Sequence, residues 1–174
     1  MTSSRQYIQQ ISDLLKIKVA NLNEENGVSC TINGKQVSGF VNIINVLLSA
    51  SKTNLAGSNE LENLQIYQWL EYALLYAAHC NSVHNIQQTL GELNSVLATK
   101  TFIASVSKLT IADVLLYYIL YNLIESLAYL DKEKYIHVSR WFNNVQQDSK
   151  IRQSNKMIDF RSNFLVNLAP ARHF

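Results

Sequence analysis

A chain of 174 residues, 48% apolar and 16% charged, is long enough for one good core or two small units sharing one. Its net charge of +2 is not by itself a nucleic-acid signature, and two cysteines give no disulfide framework. Cys30 and Cys80 are therefore expected to be reduced, in cytosol or nucleus. Met1 to Ala20 mixes Arg5, Asp13, Lys16 and Lys18 with no continuous apolar run, so no signal peptide is expected.

Tyr7, Ile8, Ile11, Leu14, Leu15 and Val19 predict an amphipathic helix from Ser4 to about Val19, broken by Asn21 to Gly27. Val28 to Ile32 then alternates with period two, Asn33-Gly34 is a hairpin turn, and Lys35 to Val37 returns as a short strand. Ser38 is placed to cap a helix carrying Phe40, Val41, Ile43, Ile44, Leu47 and Leu48. A linker-like stretch, Ser51 to Asn59, follows. From Glu60 to Cys80 the pattern is helical with two apolar stripes, Leu70, Leu74 and Ala77 on one and Ile66, Trp69, Ala73 and Tyr76 on the other. Such a helix is expected to be buried on several sides. Ile86, Leu90, Leu93 and Leu97 mark the next helix with a single stripe.

Ile111 to Leu130 holds only two charges, Asp113 and Glu125, in 20 residues, which is long enough to span a bilayer. Its opening argues for a buried helix instead. Thr110 and Asp113 stand at capping-box spacing, Leu109 and Val114 flank them as a hydrophobic staple, and an acid in the first turn suits the helix dipole. No Lys/Arg-rich flank marks a cytoplasmic side, so no membrane contact is expected. Tyr135, Val138, Phe142 and Val145 predict another helix, and a last one starts at about Lys150. From Lys150 onward five cations (Lys150, Arg152, Lys156, Arg161, Arg172) face the single acid Asp159. This stretch reads as a solvated, partly frayed end, with phosphate binding as the alternative.

The layout is therefore helix, hairpin, helix, linker, then five helices. Together with Leu109-Thr110-Ile111-Ala112-Asp113, it resembles the glutathione transferase superfamily, in which a thioredoxin-like half precedes an all-helical half. A closer resemblance lies in WLEY (69–72), LTIADVLLYY (109–118), DKEKYIHVSRWFNNVQ (131–146) and IRQ (151–153). These resemble the non-catalytic, transferase-like scaffolds of the multi-aminoacyl-tRNA synthetase complex. The match runs well from 61 to 153 and loosely over the first 55 residues. It implies a mostly α, transferase-like fold: a reduced thioredoxin-like part over 1–51, a linker over 52–59, a helical domain over 60–153 and a basic tail over 154–174. It also implies methionyl-tRNA synthetase and glutamyl-prolyl-tRNA synthetase as partners among other complex components. Direct tRNA contact is left open. The location implied is cytoplasmic, with a nuclear role in DNA-damage signalling.

An active transferase needs a Tyr, Ser or Cys at the end of a first strand, a cis-proline before the third, and a hydroxyl and amide at a helix start. Here Gly27 stands where the proline would, and no proline precedes Pro170. Only 37 residues precede Ser38, too few for the missing strand–helix–strand unit. Tyr7 reads as a helix-face aromatic and Ser38 as a cap, so no catalytic residue and no cofactor are expected. His79, Cys80 and His84 lack a fourth ligand and a recognised zinc spacing, so no metal is expected either. The alternatives to a scaffold are a residual glutathione-binding transferase and a nucleic-acid module acting through the basic tail.

Arg140, set among aromatics in VSRWF, is the first partner-binding candidate, since arginine in such company uses its fork on a carboxylate or a ring. The resemblance places the matching arginine at an interface between helical domains. Ile44, Leu48, Trp69, Tyr72 and Tyr76 are candidates for a second interface, on the helices at 38–50 and 60–80, with burial in the core as the commoner alternative for each.

Overall fold

The computed structural model describes residues 4–25 and 27–160. Helix α1 (Ser4–Leu15) buries Tyr7, Ile8, Ile11 and Leu15. It stops before Val19 because Lys16 turns to φ 56° and the Ile17 amide donates back to the Ser12 carbonyl at 3.0 Å. The freed residues form a strand that the sequence reading took for helix end and loop. A three-stranded antiparallel meander results, in the order β1 (Val19–Asn23), β2 (Ser29–Ile32), β3 (Lys35–Ser38). Val19 pairs with Ile32 and Ala20 with Thr31, and the register shifts before Asn23, around Asn21 at φ 51°. Asn33 (φ 49°) and Gly34 (φ 80°) make the two-residue turn between β2 and β3, both positive as a type I′ hairpin requires. Cys30 and Ile32 point inward, and β2 lies against α2 (Phe40–Ala50).

Ser38 does not cap α2. It stays in the ladder opposite Ser29, so the chain must turn within one residue. Gly39 does this at φ 87°, where a Cβ would be strained, and its carbonyl accepts from the Ile43 amide at 2.9 Å. Residues 52–59 are pinned at both ends of the helical part. The Gly57 amide donates to Asn63 Oδ1 (2.9 Å), the Ser58 amide to Glu62 Oε2 (2.7 Å), and the Leu55 carbonyl accepts from the Ile111 amide (3.0 Å).

Asn59 caps α3 (Glu60–Leu75) by accepting from the Glu62 amide. That helix is shorter than expected and passes into a 3₁₀ turn, Ala77–His79. Next come α4 (Val83–Leu97), capped by Ser82, and α5 (Ile111–Ser126). They are followed by α6 (Tyr129–Lys134), α7 (Ile136–Gln146) and α8 (Ser149–Arg152). The sequence pattern missed α6, which has no buried residue to signal it. The helix expected at Lys150 is a single turn, ended by Gln153 at φ 50°.

Helix α5 is the axis of the molecule. Eleven of its 16 residues are buried, and it touches α1, α3 and α7. Among the described residues, no helix is long and apolar enough to cross a membrane. The buried side chains form one continuous cluster from Tyr7 to Ile158. Its far end is strapped down by Gln146, whose side chain bonds both the amide and the carbonyl of Ile158 (2.9 and 2.8 Å). Tyr118 and Tyr121 hydroxyls donate to the Ile151 and Lys156 carbonyls, each at 2.9 Å. Residues 154–160 are thus held rather than frayed. Arg161 and Arg172 lie outside the described residues.

Candidate partner-binding surfaces

The order of the helical part is set by one buried carboxylate. Asp113 Oδ2 accepts from the Thr110 amide (2.9 Å), the carboxylate half of the expected capping box, and also from the Thr110 hydroxyl (2.8 Å). Asp113 Oδ1 accepts from the Ile103 amide and from Trp141 Nε1, both at 2.8 Å. Burial pushes the Asp113 carboxyl upward from its usual pKa, and the four donors pull against it. One side chain therefore joins the loop before α5, the start of α5 and the middle of α7. With Trp141 wholly buried, α7 can present only its opposite side to solvent.

Arg140 lies on that opposite side. Its residue is exposed, yet Nη2 donates to the carbonyls of Leu97 (2.6 Å) and Lys100 (2.8 Å). The Leu97 carbonyl ends α4, where a cation satisfies a helix-end acceptor and suits the dipole, and the Lys100 carbonyl lies in the chain just beyond. Nη2 is thus already committed inside the chain, and Nη1 and Nε are the donors that remain.

The second expected surface divides. Ile44 is fully buried beneath α2 and belongs to the core, so it cannot meet a partner. Leu48, Trp69 and Tyr72 are half-buried against the same core, while Tyr76 is exposed. Helix α3 does not bury several sides as its pattern suggested. Ile66, Leu70 and Ala73 face inward, and Leu61, Leu64, Tyr67 and Leu75 stand in solvent. These four were not singled out from sequence, although the all-round apolar pattern was their signal. An open groove of about 620 Å³ runs between α2 and α3, with Leu48, Leu64 and Tyr67 on its walls. Tyr67 also borders a smaller hollow over Phe40, Leu74 and Leu75.

Residues weighed for chemistry are occupied with structure. Tyr7 is buried on the inner face of α1. His79 Nδ1 lies 2.9 Å from the Leu74 carbonyl, and the Cys80 thiol donates to Thr89 Oγ1 at 3.0 Å. No cluster able to hold a metal occurs among the described residues. In the basic segment, Arg152 Nη1 donates to the Gln146 carbonyl at 2.9 Å and acts as an internal strut.

The fold is glutathione transferase-like. The chain is similar to the solved transferase-like domain of elongation factor 1-gamma from Saccharomyces cerevisiae, with a TM-score of 0.69 at 15% identity over 91% of each chain. A family model described as nuclear-export cofactor Arc1p matches residues 62–149. The chain is 38% identical over 136 residues to eukaryotic translation elongation factor 1 epsilon-1 of Cricetulus griseus, covering 78% of each. It belongs to the elongation factor 1 epsilon-1 family. It is also 26% identical over 115 residues to the bifunctional glutamate/proline–tRNA ligase of Mus musculus, covering 66% of this chain and 7% of that far longer one.

Proposed function

We propose that the chain is a non-catalytic scaffold of the multi-aminoacyl-tRNA synthetase complex, joining methionyl-tRNA synthetase to glutamyl-prolyl-tRNA synthetase through transferase-like domain packing. The observation that carries this reading is the unpartnered apolar face of α3. Leu61, Leu64, Tyr67 and Leu75 stand exposed on α3, Leu64 and Tyr67 on the wall of the α2–α3 groove, and such exposed apolar side chains beside a groove fit protein contact. We assign methionyl-tRNA synthetase to this face.

The glutamyl-prolyl enzyme is assigned to the Arg140 side of α7. Support comes from the segment of the mouse ligase that is similar to this chain, since like domains can pack side by side. The guanidinium, held through Nη2 by the Leu97 and Lys100 carbonyls, is pre-oriented and keeps its Nη1 and Nε protons for a partner carboxylate. The non-catalytic reading is supported by the absence of any proline before Pro170 and by the burial of Tyr7. The proposed location is the cytoplasm. For a nuclear role in DNA-damage signalling, the support is the sequence resemblance, together with the matched family's description as a nuclear-export cofactor.

A two-partner pull-down with Arg140→Ala tests the assignment. Loss of the Leu97 and Lys100 carbonyl contacts is expected to lower stability by about 1 kcal/mol, a shift of roughly 2–4 °C in Tm. The variant should lose the glutamyl-prolyl enzyme and keep methionyl-tRNA synthetase, and neither it nor the parent should be retained on immobilised glutathione. Full retention of both partners would confine Arg140 to the end of α4. Retention on glutathione with turnover of an electrophile would revive the transferase reading.

A further inference from the structure

A second concavity, of about 440 Å³, lies between the C-terminal end of α3 and the first half of α4. Its wall is aromatic: the rings of Tyr72 and Tyr76 stack with centroids 5.4 Å apart and planes at 30°. Tyr76 is 62% exposed, so one ring face is open to solvent. Its floor is a carboxylate. Glu92 Oε2 accepts from the Tyr72 hydroxyl at 2.7 Å and Oε1 from Gln88 Nε2 at 3.0 Å. These two donors hold the Glu92 carboxyl below the usual carboxylate range, so it is ionised at neutral pH. The His79 ring, whose Nδ1 lies 2.9 Å from the Leu74 carbonyl, completes the lining. No lysine or arginine lines the pocket.

The charged group of the pocket is thus a carboxylate, and a stacked ring face lies beside it. We infer that this pocket takes the guanidinium of an arginine side chain presented by a partner protein. A guanidinium is flat enough to lie on Tyr76, carries donors for Glu92, and brings the matching charge. An ammonium supplies the charge without the plane. A nucleotide supplies a plane, but its phosphates would be repelled by Glu92. The inference does not rest on the scaffold reading, because a probe containing no synthetase tests it.

Trp69 is the built-in reporter. Its ring stands edge-on to Tyr72 at 5.1 Å, whereas the other tryptophan, Trp141, is wholly buried and gives a constant background. The full chain is titrated with a capped Gly-Arg-Gly peptide and with its citrulline and lysine counterparts, followed by Trp69 fluorescence and amide NMR shifts. The arginine peptide should saturate with shifts centred on Tyr76, Gln88 and Glu92. Citrulline should bind at least about tenfold more weakly, with lysine between. Glu92→Gln, which keeps an acceptor for Tyr72, and Tyr76→Leu should each cost a similar factor while melting like the parent. Four results overturn the proposal: equal binding of the arginine and citrulline peptides, shifts centred elsewhere, no saturation, or undiminished binding by Glu92→Gln. Tighter binding of a purine nucleoside at the same residues would reassign the pocket to base stacking and overturn it equally.

Discussion

Asp113→Ala is expected to be the most damaging single substitution, costing roughly 3–5 kcal/mol. Four donors lose their acceptor at once: the Thr110 and Ile103 amides, the Thr110 hydroxyl and Trp141 Nε1. All are buried, so in the alanine variant neither the carboxylate nor bulk water satisfies them. A capping residue on a helix surface costs about 1 kcal/mol when removed, so the excess measures the links to the 103 loop and to α7. Asp113→Asn should fall between, because one oxygen can still serve Ile103 and Trp141 while the new amide opposes the Thr110 N–H. Thermal and urea melts check the order. If alanine cost no more than about 1 kcal/mol, Asp113 would be a helix cap and nothing further.

The second large effect concerns binding without folding. Leu64→Glu combined with Tyr67→Glu places two charges where an apolar partner face is expected, and both residues are already exposed. The fold should melt within a few degrees of the parent. Affinity for methionyl-tRNA synthetase should drop by about a hundredfold or more, the usual consequence of charging the centre of an apolar interface. Retained affinity in a folded double variant would move that partner off the α2–α3 groove.

Much of this was legible in the sequence because the signals were local. The Asn33-Gly34 hairpin, the Thr110–Asp113 spacing and the apolar density of 111–124 are short-range patterns, and each corresponds to a feature of the structure. What escaped was set by contacts distant in sequence. Strand β1 has only Val19 and Leu22 partly inward and is made by pairing with β2, so its pattern alone was too weak to reveal it. Ser38 fits a cap by residue type, but its pairing with Ser29 moved the turn to Gly39. Nothing local reveals that Asp113 also holds Trp141, 28 positions away, or that Arg140 reaches the carbonyls of Leu97 and Lys100.

The candidate surfaces were harder for the same reason. Apolar residues on every side of α3 fit two accounts, burial on several sides or one buried side and one open to a partner. Only the packing of α2, α4 and α5 around it separates Ile66 and Leu70 from Leu64 and Tyr67. Ile44 and Leu48 share a helix face by spacing, yet the core takes the first wholly and the second in part.

The central claim is that this chain bridges two synthetases, and the most direct test is reconstitution from three purified components. Methionyl-tRNA synthetase and glutamyl-prolyl-tRNA synthetase are mixed with and without the chain, and the mass of the eluting species is read by light scattering. The account predicts a species containing all three with the chain present, and separate synthetases without it. It would be contradicted if the two synthetases competed for the chain and gave only binary species, or if they joined equally well in its absence.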